Sequence, residues 1–374
     1  MKKLFVILAV IAMVGAFTTT AIADVELYGS ARFRTYYQSV DSGTPGADSD
    51  DDLEWRLGFL SRFGAKFKGD KVNGRFELDA RPGKAGSTGN IESSSGASEI
   101  GNMRLRLLYG EWDFGAGKLM IGQNYPLYSF ATSGINYYSG GIQPLGGVAY
   151  KVSRTSQLRL TFGEFKLAFL PPDTAQTTPS ATLEEVNTMF PKIEARYDMK
   201  MDNFQLNFVG GYQNYEIEDR DGTKRTEDIT SYVLAARGIA NFGPAYAKLH
   251  LTYRQNGGNY GVKTNSVKEV AVFQGNDLKD ATGYGVVAAL GYKINDMFTL
   301  EGSYGGLSTE QDTSLNNEDD ASVLAFLAKI TVAPGVYIIP ELIFQDNKDV
   351  TNDGVTTEQG DTTIFGVFWR IDFK

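Results

Sequence analysis

The chain is predicted to be all-β, a transmembrane antiparallel β-barrel of sixteen strands, and three observations predict it. It opens on an export signal, its body alternates apolar and polar residues with period two, and tight turns alternate with long polar connections. Its 374 residues include 42 glycines, 23 phenylalanines and 20 tyrosines but no cysteine, so its stability does not come from disulfides.

Met1-Lys2-Lys3, the apolar run Leu4 to Phe17 and the ending Ala21-Ile22-Ala23 read as a Sec signal peptide cleaved after Ala23. The expected organisation is therefore a signal peptide, 1–23, and one barrel domain, 24–374. No later segment carries the roughly 18 unbroken apolar residues of a membrane-spanning helix, which excludes a helical inner-membrane transporter. The net charge of −9 disfavours a nucleic-acid partner, since a phosphate backbone requires a basic face.

From Asp24 the alternation is explicit. Val25, Leu27, Gly29, Ala31, Phe33 and Tyr37 share one face, opposite Glu26, Ser30, Arg32, Arg34 and Gln38. Between Leu53 and Lys68, Trp55, Leu57, Phe59, Phe63 and Phe67 oppose Glu54, Arg56, Arg62, Lys66 and Lys68. From Val72 to Arg81 the apolar Val72, Phe76, Leu78 and Ala80 oppose Asn73, Arg75, Glu77, Asp79 and Arg81. At the end, Phe365, Val367, Trp369, Ile371 and Phe373 face away from Gly366, Arg370 and Asp372. A soluble sandwich also alternates, but its strands average half this length and it needs no aromatic residues at strand ends. Met103 to Phe114 and Val148 to Phe162 break register at Leu107-Leu108 and at Arg154, where a bulge or a shifted boundary is expected.

Tight turns are expected at Gly69-Asp70-Lys71, Gly115-Ala116-Gly117, Gly163-Glu164, Met201-Asp202-Asn203, Asn241 to Pro244, Asn295-Asp296 and Ala333-Pro334-Gly335. Loops are expected near 40–52, 82–102, 124–147, 171–189, 214–228, 256–281, 308–320 and 346–361. Seven turns and eight loops join sixteen strands, with fourteen and eighteen as the neighbouring even counts.

The opening Val25-Glu26-Leu27-Tyr28-Gly29-Ser30-Ala31-Arg32 resembles the first strand of Gram-negative general porins. Arg106 to Gln123 is similar to the porin hairpin preceding loop three, and Phe368-Trp369-Arg370-Ile371-Asp372-Phe373 is similar to the porin C-terminal strand. The resemblance implies a homotrimer in the outer membrane, loop three folded into each lumen, and passive diffusion of small hydrophilic solutes or ions. It also implies that barrel-assembly machinery reads Phe373 as its signal, although here Lys374 follows the terminal aromatic residue.

Loop three, taken as 124–147, holds no charged residue, whereas the family is expected to set acids there against an arginine wall. Its candidate constriction residues are Tyr125, Tyr128, Phe130, Asn136, Tyr137 and Tyr138, whose rings either meet a neutral solute or pack the loop against the wall. Strand parity sends Arg32, Arg34, Arg56, Arg62, Arg75, Arg104, Arg106 and Arg159 into the lumen. Either they favour anions, or Glu54, Glu77 and Asp79 at the same parity pair with them and brace the wall. The acidic loops are either solvated charge runs or, through divalent cations, contacts for lipopolysaccharide; Asp48, Asp50 and Asp52 lack the glycine and glutamate of a calcium loop.

No catalysis, cofactor or metal is expected. His250, the only histidine, has no nearby serine or acid in sequence, and Gly283 to Ala288 matches a dinucleotide motif only inside an alternating strand. The alternatives are a substrate-specific channel for neutral or anionic solutes, or a non-channel barrel serving as adhesin or outer-membrane enzyme.

Overall fold

In the computed structural model the chain from Asp24 onward closes into a single antiparallel barrel. The described residues are 24–43, 49–58, 60–80, 103–129, 131–138, 154–174, 183–219, 226–262, 268–275, 277–315 and 317–374. The expected signal peptide, the 82–102 loop, Asp48 and Phe130 lie outside them.

Sixteen staves form the wall. The first half comprises β1 (Asp24–Val40), β2 (Asp50–Leu57) with β3 (Arg62–Lys68) on one stave, β4 (Val72–Ala80), β5 (Met103–Asp113), β6 (Lys118–Asn124), β7 (Thr155–Phe162) and β8 (Phe165–Leu170). It ends on a stave shared by β9 (Leu183–Asn187) and β10 (Lys192–Lys200). Next come β11 (Phe204–Asp219), β12 (Thr226–Phe242), β13 (Ala245–Gln255), and a loop hairpin of β14 (Val272–Gln274) and β15 (Asp277–Lys279). Then follow β16 (Ala281–Lys293), β17 (Phe298–Gln311), β18 (Asn317–Ala333) and β19 (Val336–Asp346). A second loop hairpin, β20 (Val350–Asn352) and β21 (Val355–Thr357), precedes the closing β22 (Asp361–Phe373).

β22 pairs with β1 from Gly29↔Phe373 to Val40↔Thr362, so the ladder has no free edge. Closure is what lipid demands, because an unpaired backbone amide has no water to turn to in hydrocarbon. The two faces follow from the alternation. Leu27 is 65% exposed, Leu290 69% and Phe365 60% on the outer face, while Arg34, Asn207 and Arg254 on the opposite parity are buried within the barrel. A charge on the apolar belt is costly: Leu251→Arg, near the middle of β13, is expected to lose about 2–4 kcal/mol of folding stability in lipid. Val355→Arg at a loop tip is expected to be silent, and urea titration of the heat-modifiable gel shift reads both.

All seven tight turns stand where expected, and Gly163 adopts φ +56°, the left-handed conformation a two-residue hairpin requires. Several boundaries differ. The stretch Leu53 to Lys68 is one stave but two strands, broken where Leu60 takes φ +69° and Gly58 donates its amide to the Arg32 carbonyl at 2.7 Å. The four-residue break preserves parity, so Arg56 and Arg62 still point the same way. The leucine pair is explained by a bulge: Glu77 opposes Leu107 and Leu78 opposes Leu105, leaving Arg106 as the extra residue. Arg154 precedes β7, which begins at Thr155 rather than 148. Most of the expected loops 214–228 and 308–320 is strand, because ladder hydrogen bonds continue above the apolar belt where water accepts acids on either face.

Candidate pore constriction

Six of the eight predicted lumenal arginines pair with Glu54, Glu77 or Asp79. Glu77 accepts from Arg106 Nε at 2.6 Å, Arg75 Nη2 at 3.1 Å and the Tyr28 hydroxyl at 2.7 Å, with Arg62 at 3.7 Å. Asp79 takes Arg104 at 3.1 Å, and Glu54 takes Arg34 at 3.0 Å together with Arg56. Arg32 reaches the Ser30 hydroxyl at 3.0 Å, and Arg159 reaches the Gln157 amide oxygen at 3.1 Å and the Tyr125 carbonyl at 2.5 Å. The acids therefore brace the wall, but exposure is asymmetric. The side chains of Arg104 and Arg56 are 57% and 42% exposed, against 0% for Asp79 and 1% for Glu77. In their own pairs, Arg104 and Arg56 are more exposed than the acids they meet. Glu77→Gln would strand several guanidinium groups without their shared acid, so a loss of about 3 kcal/mol is expected from the urea midpoint.

The described residues of loop three after β6, 125–129 and 131–138, run along the inner wall as a ribbon gripped on both edges. Wall carboxylates accept its amides. Glu194 Oε2 takes Leu127 N at 2.5 Å and Tyr128 N at 3.2 Å, Glu301 takes Gly134 N, and Glu341 takes Asn136 N at 2.7 Å and Tyr137 N at 2.9 Å. Wall arginines donate to its oxygens. Arg106 reaches the Tyr125 hydroxyl at 2.7 Å, Arg237 the Ala131 carbonyl at 2.8 Å and Arg34 the Tyr137 carbonyl at 3.0 Å. The contacts pass from β5 through β10, β12, β17 and β19 to β1, so the loop crosses most of the circumference.

Two apolar beds lie beneath it. Ile135, Tyr137 and Tyr138 pack on Val287, Val323, Ala325, Ile339, Ile343, Ile364 and Phe368, all inward-facing. Leu127 and Tyr128 pack on Ala168, Leu170, Val209, Val233 and Ala235. Apolar side chains on the inner wall need cover from water, and an uncharged loop supplies it without desolvating a charge. Tyr128 is fully buried, the Tyr137 and Tyr138 hydroxyls donate to Gln38 and Gln345 at 2.7 Å each, and among the described rings of the loop only Tyr125 reaches 36% exposure. Burial pushes the Tyr128 hydroxyl up to about 12 and raises those of Tyr137 and Tyr138, so these phenols carry no charge at neutral pH. Asn136 also binds Glu341 through its side chain, at 3.0 Å.

Parity placed the arginines of the first half but passed over Glu194, Glu301 and Glu341, and over Arg196 and Arg237 in the second. Glu301 and Glu341 were legible as solitary acids between apolar or small neighbours, Leu300 and Gly302, Pro340 and Leu342. Nothing local says that their partner is a loop far away in the chain. His250 is buried, its Nδ1 at 3.1 Å from the Thr132 hydroxyl, and serves as another wall contact to loop three.

A sequence profile described as "Gram-negative porin" matches residues 8–349. The chain belongs to the Gram-negative porin family. This porin is accordingly an outer-membrane channel. Solved structures agree on the fold. The outer membrane channel DcaP of Acinetobacter baumannii superposes with TM-score 0.69 at 16% identity, covering 94% of this chain and 97% of that one. An anion-selective porin from Comamonas acidovorans gives 0.61 at 15%, covering 94% and 99%. OmpT of Vibrio cholerae, in trimer form, gives 0.59 at 15%, covering 94% and 99%. No curated protein sequence matches the chain. Within the porin resemblance one feature departs: the acids expected on loop three stand on the wall, and the loop is neutral.

Proposed function

We propose that this porin is a passive, anion-preferring diffusion channel whose eyelet lies between neutral loop three and the arginine-bearing staves β1 to β7. The observation that carries the reading is the layering of the part-exposed Arg56, Arg75 and Arg104 over the less exposed Glu54 and the buried Glu77 and Asp79. A solute in the lumen meets guanidinium groups first, and basic rings favour anions. The Comamonas neighbour, named for anion selectivity, shares the fold and lends support.

The same reading assigns the remaining roles. Residues 1–23 are removed on export, and the mature chain assembles as a homotrimer, the form named for the Vibrio neighbour. Phe373, at the register step beside Gly29 with its ring 55% exposed on the lipid face, acts as the assembly signal, with Lys374 held to Glu26 at 3.0 Å. The outer belt contacts lipid and lipopolysaccharide, and the channel performs no covalent chemistry. Reversal potentials of the purified mature protein in a planar bilayer under a potassium chloride gradient test the proposal. An anion-directed potential, with closures in threes, is expected; a cation-directed one contradicts it.

A further inference from the structure

Residues 256–280, the connection between β13 and β16, include a stretch buried as deeply as a protein core. Asn256, Asn259, Tyr260 and Ala271 have no exposed surface, and Val262 and Glu269 are each 2% exposed. A polar connection at a barrel rim reaches such burial only by folding inward, and its contacts show where. Tyr260 donates its hydroxyl to Glu194 Oε1 at 2.9 Å, on the same carboxylate whose other oxygen holds the start of loop three. Lys192 Nζ donates to the Tyr260 carbonyl at 2.9 Å and lies 4.5 Å from its ring centre. Asn259 binds the Tyr215 hydroxyl at 3.0 Å, and Gln213 donates to the Asn259 carbonyl at 2.9 Å. The turn is tied back by Arg254, whose Nε meets Glu269 at 2.9 Å.

The wall accommodates this insertion. Gly211 faces the Tyr260 ring so closely that a Cβ there would collide with it. Tyr260 and Val262 join Leu127, Tyr128, Leu170, Val209 and Val233 in one apolar cluster, with the Tyr128 and Tyr260 rings edge to face at 6.3 Å. The two loops thus share an anchor and a core.

We propose that residues 256–262 form a second constriction element, a strap that fills the β8 to β13 side of the lumen beside loop three, and that the buried Tyr260 anchors it there and through it limits the size of the channel. The proposal rests on the reading of the chain as an open diffusion channel but not on its ion preference. Solutes are confined to the arginine side because the opposite side holds protein. Glu194 splits its two oxygens between the loops, so the strap and loop three stiffen one another, and widening one side loosens the other.

The test is liposome swelling with neutral sugars of increasing size, arabinose through stachyose, alongside single-channel conductance. Tyr260→Ala is expected to admit stachyose where the unaltered channel excludes it and to raise conductance about twofold, since pore diameter governs passage. Tyr260→Phe keeps the ring and removes one hydroxyl; it is expected to fold as the parent and to show an intermediate gain. Parental cut-off and conductance in Tyr260→Ala with the heat-modifiable fold intact, or in Tyr260→Phe should the alanine variant misfold, overturn the proposal. Because the sugars are uncharged, a parent channel that proves cation-selective would sink the anion reading and leave this one standing.

Discussion

Glu341→Ala is expected to free the far half of loop three and to raise single-channel conductance, with added current noise, while the barrel stays folded. Glu341 Oε1 accepts Asn136 N at 2.7 Å and Asn136 Nδ2 at 3.0 Å, and Oε2 accepts Tyr137 N at 2.9 Å and the Tyr36 hydroxyl at 2.8 Å. Hydrogen bonds to a charged group contribute about 1.5–3 kcal/mol each. The wall ladder is untouched, so the loss falls on loop placement. What remains at that end includes Glu301 on Gly134, Arg34 on the Tyr137 carbonyl, and the Tyr137 and Tyr138 hydroxyls on Gln38 and Gln345. Glu341→Gln keeps one acceptor oxygen and is expected to fall between parent and alanine variant. Conductance histograms of the three proteins decide it, and identical values would show that the loop is held elsewhere.

The second large effect concerns selectivity. Arg75→Gln with Arg104→Gln removes two partly exposed charges while Arg106 remains to balance Glu77 and Asp79. A unit charge about 6 Å from a passing ion contributes about 0.7 kcal/mol in water-like dielectric, or about threefold in relative permeability. Removing both is expected to cost the anion and favour the cation by about tenfold each, reducing the anion-to-cation permeability ratio about a hundredfold at low salt and less at high salt, because mobile ions screen the lumen. Reversal potentials across matched gradients measure it, and a ratio unchanged at low salt would place the selective charges elsewhere.

How far the sequence could be read depended on the distance over which each interaction acts. Period two is local, so both faces of β1 and β22 and all seven turns were legible from neighbours in sequence. Parity even brought Glu77 onto the face of Arg75 and Arg106, which made bracing foreseeable. The bulge at Arg106 was flagged only by the adjacent leucines, since the pairing that defines it belongs to the opposite strand. Loop three was harder. Its neutrality was plain, but Asn136 and Glu341 are 205 positions apart, and no local pattern joins them. The inward-facing Val323, Ile343 and Ile364 were a missed signal, because apolar residues on the water parity of a channel announce that something covers them. The strap at 256–262 was hidden in the same way, as a polar stretch that composition assigns to the surface.

A loop three that lies within the lumen and borders a cationic path must sense the charge of what passes it. The chain has no cysteine, so Ala131→Cys places one thiol on an exposed position of that loop. Bilayer currents would be followed while anionic and cationic methanethiosulfonates are added. Stepwise loss of conductance on modification is expected, with the anionic reagent faster. Full modification with unchanged current would contradict it, since the loop would then stand outside the conducting path.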